Sequence, residues 1–290
     1  MNEIDINLLP PNPHVQGTGA IFRPPSVKDY QLLHRPSVRE AMADLPSSFL
    51  VLPIDKIKTK YDQGMVPSCV AYSTCGAKSI EDFTDNGLWN TYDGDELYRA
   101  CGGNGAEGIS TDTALAYARD TGCLSAGKRW PIESYAFAPM VAGAWRRTLA
   151  AALVASGPCV VAALLPVIYG WDSNQTLSGA YHQQCLIGWD GLDDNDHAIF
   201  LNSWSSRWGN LGCGRMTWAY LEGNNFQGSY CYGFQITDFH EAIEPPPDPI
   251  VKPVEFDATV KAINDNVVKI KPAGVITGLA QDDKIHVKKL

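Results

Sequence analysis

Apolar and polar residues follow two different periods along this chain, and the change from one to the other divides it. Near the start, Pro10, Pro11, Pro13, Pro24, Pro25 and Pro36 interrupt any regular period, because proline fixes φ and has no amide donor. Only Ser37 to Ala43 reads as a short helix there, with Ser37 as its cap. From Cys69 onward, Val70, Ala71, Tyr72, Ala77 and Ile80 recur at a spacing that predicts a mostly buried helix. Asp112 to Asp120, capped by Thr111, and Arg146 to Ser156, closed by Gly157 and Pro158, are two more predicted helices. Then the period shortens. Cys159 to Leu165 is a continuous apolar run, and Cys185 to Trp189 and Ala198 to Leu201 are short strands around a polar turn, Asp190 to Asp196. Arg215 to Tyr220 and Tyr230 to Ile236 predict further strands. Helices first and strands second predict an α+β protein with two segregated halves.

A second boundary lies at Glu244, where Pro245, Pro246, Pro247, Pro249 and Pro253 predict a stiff, extended linker. Beyond it, Val260 to Ile263, Val267 to Ile270, Gly274 to Ile276 and Lys284 to Val287 alternate apolar and polar residues, with a turn expected at Asn264 to Asn266. The organisation read from the chain is an N-terminal arm (1–44), a main domain (45–243) and a linker with a small β-rich tail (244–290). That tail has no aromatic residue beyond Phe256. It is therefore expected to gain stability by docking, on its own chain or on a partner.

Composition narrows the function classes. A chain of 290 residues with 45% hydrophobic content can bury a large core. Its formal charge of -9 opposes non-specific binding to nucleic acid and to anionic membranes. The apolar run Leu149 to Val167 is broken by Ser156, Gly157 and Pro158, so it reads as helix, turn and strand and not as a membrane span. The first residues carry no basic segment followed by an apolar one; no signal peptide is visible, and intracellular production is favoured. Eight cysteines are scattered without a CxxC pair, which argues against zinc and against thiol exchange. Spacing does not fix any disulfide; Cys101 with Cys123 and Cys213 with Cys231 are among the possible pairs.

Three segments hold candidate chemistry: Tyr61 to Tyr72 around Cys69, Gly179 to Trp189 around His182, and Phe200 to Gly209 around Asn202. A cysteine at a helix start is near free N–H groups and the positive end of the helix, both of which stabilise a thiolate. A histidine can take and return its proton, and an asparagine carbonyl can hold the ring without adding charge. Taken singly, such residues are more often structural: a buried helix-start cysteine, a packed histidine, an asparagine in a turn. Their order and surroundings favour the chemical reading.

Those surroundings resemble the papain-like cysteine peptidases, in particular their compact bacterial and phage-type relatives. Gln63 stands six residues before Cys69, as the family's oxyanion-hole glutamine does, and Ser68-Cys69-Val70-Ala71-Tyr72 resembles its Ser-Cys-x-Ala-aromatic run. Asn202-Ser203-Trp204, with Trp208 six residues after the asparagine, is similar to its Asn-Ser-Trp-Gly segment. His182 precedes an apolar strand that ends in Gly188-Trp189, and Leu45-Pro46 is similar to the family's mature start. The resemblance covers roughly Leu45 to Phe239. It implies a two-lobed fold, a helical left lobe and an antiparallel β-barrel-like right lobe, here with a small β-rich C-terminal appendage. It implies a Cys69–His182–Asn202 triad with Gln63 in the oxyanion hole, and Trp204 shielding the His182–Asn202 bond. Gly102, Gly103, Gly108 and Trp208 are implied as substrate-binding, the substrate being a protein or peptide. Neither metal nor organic cofactor is required.

The chain departs from the family at Val66, where a disulfide cysteine stands, at Val70, where many members have tryptophan, and at Ser205, which replaces a glycine. The span from Cys69 to His182 is also short for the family. His197 is a rival base, but it lies only five residues before Asn202 in what reads as one strand. The departures leave room for a catalytically silent binding module. An amidase or transpeptidase could use the same triad.

Overall fold

Helix α1 (Pro36–Ala41) starts at its proline and not under a Ser37 cap: Arg35 is the N-cap and no side chain caps it. Proline's fixed φ suits the first helical turn, where its missing N–H costs nothing. The computed structural model describes residues 19–21, 32, 35–138, 144–166, 171, 177–223, 232–238, 258–264 and 267–272. It falls into two units, Met1–Pro245 and Pro246–Leu290.

In the first unit, α1 is followed by the two-residue strand β1 (Phe49–Leu50) and by the long helix α2 (Cys69–Asn86). Helix α2 is buried on nearly all sides through its first fourteen residues and ends at Gly87, whose φ of 75° supplies the left-handed stop. Helix α3 (Gly94–Ala100) follows, its cap Asp93 accepting from the Glu96 amide at 2.9 Å. Helix α4 (Thr111–Asp120) is capped by Ser110, one residue earlier than the sequence suggests, with Thr111 already inside the helix. Strands β2 (Cys123–Ser125) and β3 (Lys128–Trp130) form a hairpin, and β4 (Ile132–Ala138) leads towards α5 (Trp145–Ser156).

The remaining strands are β5 (Cys159–Pro166), β6 (Leu177–Trp189), β7 (His197–Leu201), β8 (Cys213–Thr217) and β9 (Tyr232–Asp238). Trp218 to Tyr220, read as strand, instead open helix α6 (Trp218–Gly223), where the Thr217 hydroxyl accepts from the Tyr220 amide. These strands build one antiparallel sheet ordered β4-β9-β5-β6-β7-β8, with β1 paired to the end of β6. The fold class is thus the expected α+β arrangement of helices with an antiparallel sheet.

Two apolar clusters sit on either side of β6. Cys185 and Ile187 belong to the cluster around α2, α3 and α4; Leu186 belongs to the one around α5, Trp204 and Trp218. The alternation follows from the period of two in a strand, and it makes β6 the wall shared by the two halves. Leu32 and Val38 are fully buried in the second cluster, so this part of the arm is core. All seven described cysteines are free thiols, and Cys101 and Cys123 are not joined.

In the second unit, β10 (Ala258–Asn264) and β11 (Val267–Pro272) pair as an antiparallel hairpin that sets Asn264 opposite Val267. The other expected tail strands, Gly274 to Ile276 and Lys284 to Val287, lie outside the described residues.

Candidate active site

Cys69 is the first residue of α2 and is fully buried. Burial pushes its thiol pKa up, against the main-chain amides of Gln183, Gly19, Val70 and Cys69 itself, which favour the thiolate. The helix start therefore supplies donors to the sulfur, as a nucleophile position requires.

His182 lies within β6 and not ahead of a shorter strand, paired with Ala163 of β5. It too is fully buried. Its Nε2 is 2.7 Å from Asn202 Oδ1. A side-chain carbonyl oxygen only accepts, so Nε2 carries the proton and the lone pair is on Nδ1. That buried Nδ1 has no hydrogen-bond partner among the described residues. Burial lowers the His182 pKa to about 4, opposed by the Asn202 hydrogen bond. Burial thus disfavours the charged form of both groups.

Asn202 follows β7, and its Oδ1 also accepts from the Ser203 amide at 2.8 Å. The indole of Trp204 stacks on the His182 ring at 4.7 Å and 30°. Trp208 packs edge-on against Trp204 at 5.1 Å and 85° and is itself buried, so it backs Trp204 from the interior. Excluding water in this way strengthens the His182–Asn202 bond.

Gln63 reaches the same place through chain pairing. Its amide donates to the Ser203 carbonyl at 2.9 Å, and the Ser205 amide donates to the Tyr61 carbonyl at 2.8 Å. The Gln63 side chain is fixed at both ends: its Oε1 accepts from the Ser203 hydroxyl, and its Nε2 donates to the Val66 carbonyl at 2.8 Å. Ser203 thus holds both Asn202 and Gln63, contacts that its place in the motif does not announce. Ser205 adopts a left-handed φ of 69°, which explains why a glycine suits this position.

Of the three glycines singled out in the sequence, Gly102 and Gly103 end α3, and a Cβ on Gly103 would meet the Tyr98 ring at 2.4 Å. Gly108 alone faces another segment of chain: a Cβ there would fall 1.3 Å from the carbonyl oxygen of Gly19. The rival His197 is turned elsewhere, with its Nδ1 3.1 Å from Asp190 Oδ2, in a partly exposed cluster with Arg215.

The segment that meets Gly108 is the feature least visible in the sequence. Gly19 aims its amide at the Cys69 sulfur and its carbonyl at Gly108. Ala20 donates to the Tyr181 carbonyl at 3.4 Å, Ile21 donates to the Ile109 carbonyl at 3.2 Å, and Ile21 bridges Ser110 in a parallel sense. Residues 19–21 therefore lie between the Gly108 loop and the strand that bears His182, with the Gly19 amide beside the Cys69 sulfur.

With this geometry in view, the architecture can be compared with solved structures. Xylellain, a cysteine protease from Xylella fastidiosa, superposes with a TM-score of 0.60 over 80% of this chain and 99% of its own, at 18% identity. A procathepsin B from Trypanosoma congolense gives 0.60 over 77% of this chain and 87% of its own, at 17% identity. The chain has the papain-like fold. Digestive procathepsin L 3 of Tenebrio molitor larval midgut shares it with a TM-score of 0.54, at 21% identity over 77% of this chain and 76% of its own. No family model and no curated protein sequence matches. The papain-like likeness thus rests on three-dimensional similarity and on the local motifs, not on overall sequence.

Proposed function

We propose that this chain is a cysteine endopeptidase whose triad is Cys69, His182 and Asn202, and that residues Gly19 to Ile21 keep it closed. The observation that carries the reading is the buried His182 Nε2–Asn202 Oδ1 bond at 2.7 Å under the Trp204 indole. It fixes the tautomer and aims the basic Nδ1 away from the asparagine.

In the open enzyme, Nδ1 takes the Cys69 proton and the thiolate attacks the carbonyl carbon of a peptide bond. The oxyanion that forms is held by the Cys69 amide and by Gln63 Nε2, whose orientation the Ser203 hydroxyl and the Val66 carbonyl set. His182 returns the proton to the leaving amine. Water, deprotonated by His182, then attacks the thioester, and the carboxylic acid leaves as the Cys69 thiol is restored. Gly108, without a Cβ, lets a peptide backbone lie close to its loop, as Gly19 does. Gly102 and Gly103 act by shaping the end of α3 that leads to this loop, and Trp208 by backing Trp204.

Closure is supported by the same contacts. Gly19 offers Cys69 an N–H and turns its carbonyl to Gly108, so that this carbonyl is not presented for attack. Substrates are proteins or peptides. Cys69→Ala tests the reading: it should abolish hydrolysis of a peptide library and covalent labelling by an epoxide thiol inhibitor, while melting stays near wild type. Near wild-type turnover in this variant would end the proposal. Labelling without peptide hydrolysis, with release of ammonia from amides, would favour the amidase reading; absence of labelling even after removal of the cover would favour a silent module.

A further inference from the structure

We propose that the Gln183 side chain is the positioning element that sets the separation of nucleophile and base. The proposal rests on the triad reading above. Gln183 follows His182 in β6, and its side chain is completely buried. Side chains alternate along a strand, so Gln183 faces the side opposite to His182, towards α2 and α4. Its neighbours on that face, Tyr181, Cys185 and Ile187, are the apolar residues expected of a wall between two lobes. A glutamine among them is an expensive choice for packing alone, since its amide must find every partner inside the protein.

The partners found are the informative part. Gln183 Nε2 donates to Ser73 Oγ at 2.8 Å and lies 3.5 Å from the Val70 carbonyl, and its Oε1 accepts from the Thr111 hydroxyl. Ser73 is four residues after Cys69, one turn along the same face of α2. Thr111 opens α4, directly after the Gly108 to Ser110 wall of the cleft. One side chain thus ties the strand bearing the base, the helix bearing the nucleophile and the loop that lines the cleft. Its own main-chain amide also faces the Cys69 sulfur. Apolar contacts between lobes tolerate sliding, whereas a fully satisfied buried hydrogen-bond network is directional. A displacement near 1 Å at a reacting pair costs about 10²-fold in rate, so a directional tie beside the pair has kinetic weight beyond its contribution to stability.

The test separates positioning from packing in the full-length protein, with and without Gly19→Val to open the cleft. Gln183→Met keeps the volume but leaves the Ser73 and Thr111 hydroxyls without the glutamine; the triple variant Gln183→Met/Ser73→Ala/Thr111→Val removes those hydroxyls as well. Melting temperature, kcat and KM for a peptide substrate, and the pH dependence of Cys69 alkylation by iodoacetamide are read for each. The single variant should lower Tm. The triple variant should regain most of that Tm, yet keep kcat down by about 10²-fold at unchanged KM, with the acid limb of alkylation moved to higher pH. Recovery of kcat together with Tm, or an alkylation profile identical to wild type in both variants, would overturn the proposal. If the open wild-type protein hydrolyses no peptide but the alkylation limb still moves, the peptidase reading fails and the positioning role stands.

Discussion

Substituting Gly19 by valine tests the proposed closing role of the N-terminal segment, because Gly19 is outside the proposed triad and its replacement leaves Gln63, Cys69, His182 and Asn202 in place. A Cβ at residue 19 would lie 2.5 Å from the Pro67 Cβ and 3.1 Å from both the Gly108 Cα and the Pro67 carbonyl. The 2.5 Å approach is to a carbon of the rigid proline ring, which cannot swing aside, and the two methyl groups of valine add to it, so the segment is expected to lift. Lifting it forfeits the hydrogen bonds from Ala20 to Tyr181 and from Ile21 to Ile109. At about 1 kcal/mol net for each, the closed form loses about 2 kcal/mol, a factor of about 30 in its population relative to the open form. In a stopped alkylation assay with iodoacetamide at neutral pH, Cys69 of Gly19→Val should react about 30-fold faster than wild type, and peptide turnover should rise in parallel. Intact-mass analysis after digestion confirms that Cys69 is the site modified. Equal rates in the two proteins would refute the idea that residues 19–21 control access to the thiol. A faster alkylation without any gain in turnover would keep the cover and remove the peptidase.

Two further outcomes follow from the triad geometry. His182→Ala should lose at least about 10²-fold in turnover, whereas His197→Ala, whose ring is engaged with Asp190, should change it little; the reverse pattern in steady-state assays would reassign the base. Stability should also depend on pH through His182. Its folded pKa of about 4 is below the unfolded value near 6.5, so the unfolded chain takes up the proton first as the solution is acidified. Its contribution is therefore complete above about pH 6.5 and is lost as pH falls towards 4, by at most about 3 kcal/mol. Chemical denaturation between pH 4 and 7 should show a steeper slope for wild type than for His182→Gln; equal slopes would refute it.

Much of the fold is legible where packing alone chooses the residues. The apolar spacing after Cys69 marks the existence and start of α2, though not its end at Asn86, and the continuous run of β5 places that strand within one residue. The misreadings have local causes. Helix α3 opens on Gly94, a poor helix former, and depends on the Asp93 cap. The strand β6 extends eight residues before Cys185, through Gly179, His182, Gln183 and Gln184. Those polar residues hide the apolar alternation because the site, not the core, selects them. Motif spacing brings Gln63, Cys69, His182 and Asn202 into view. The Ser203 hydroxyl and the Gly19 contact cannot be found that way, because each depends on a partner far along the chain that no local pattern names.

The strand β6 also sets how the protein can change in length. Tyr181 offers its carbonyl to Ala20, His182 its ring to Asn202, and Gln183 its side chain to α2 and α4. Three consecutive residues thus hold three unrelated posts, assigned only by alternation along one strand. Inserting or deleting a single residue between Leu177 and His182 could shift this run by one place, sending the imidazole to the face now held by the glutamine. The opposite end of the strand is pinned as well: Gly188 lies so close to β1 that a Cβ would meet the Phe49 carbonyl at 2.2 Å. Length variation in descendants of this sequence should therefore be absent from β6 and be tolerated outside it, as in the turn from Asp190 to Asp196.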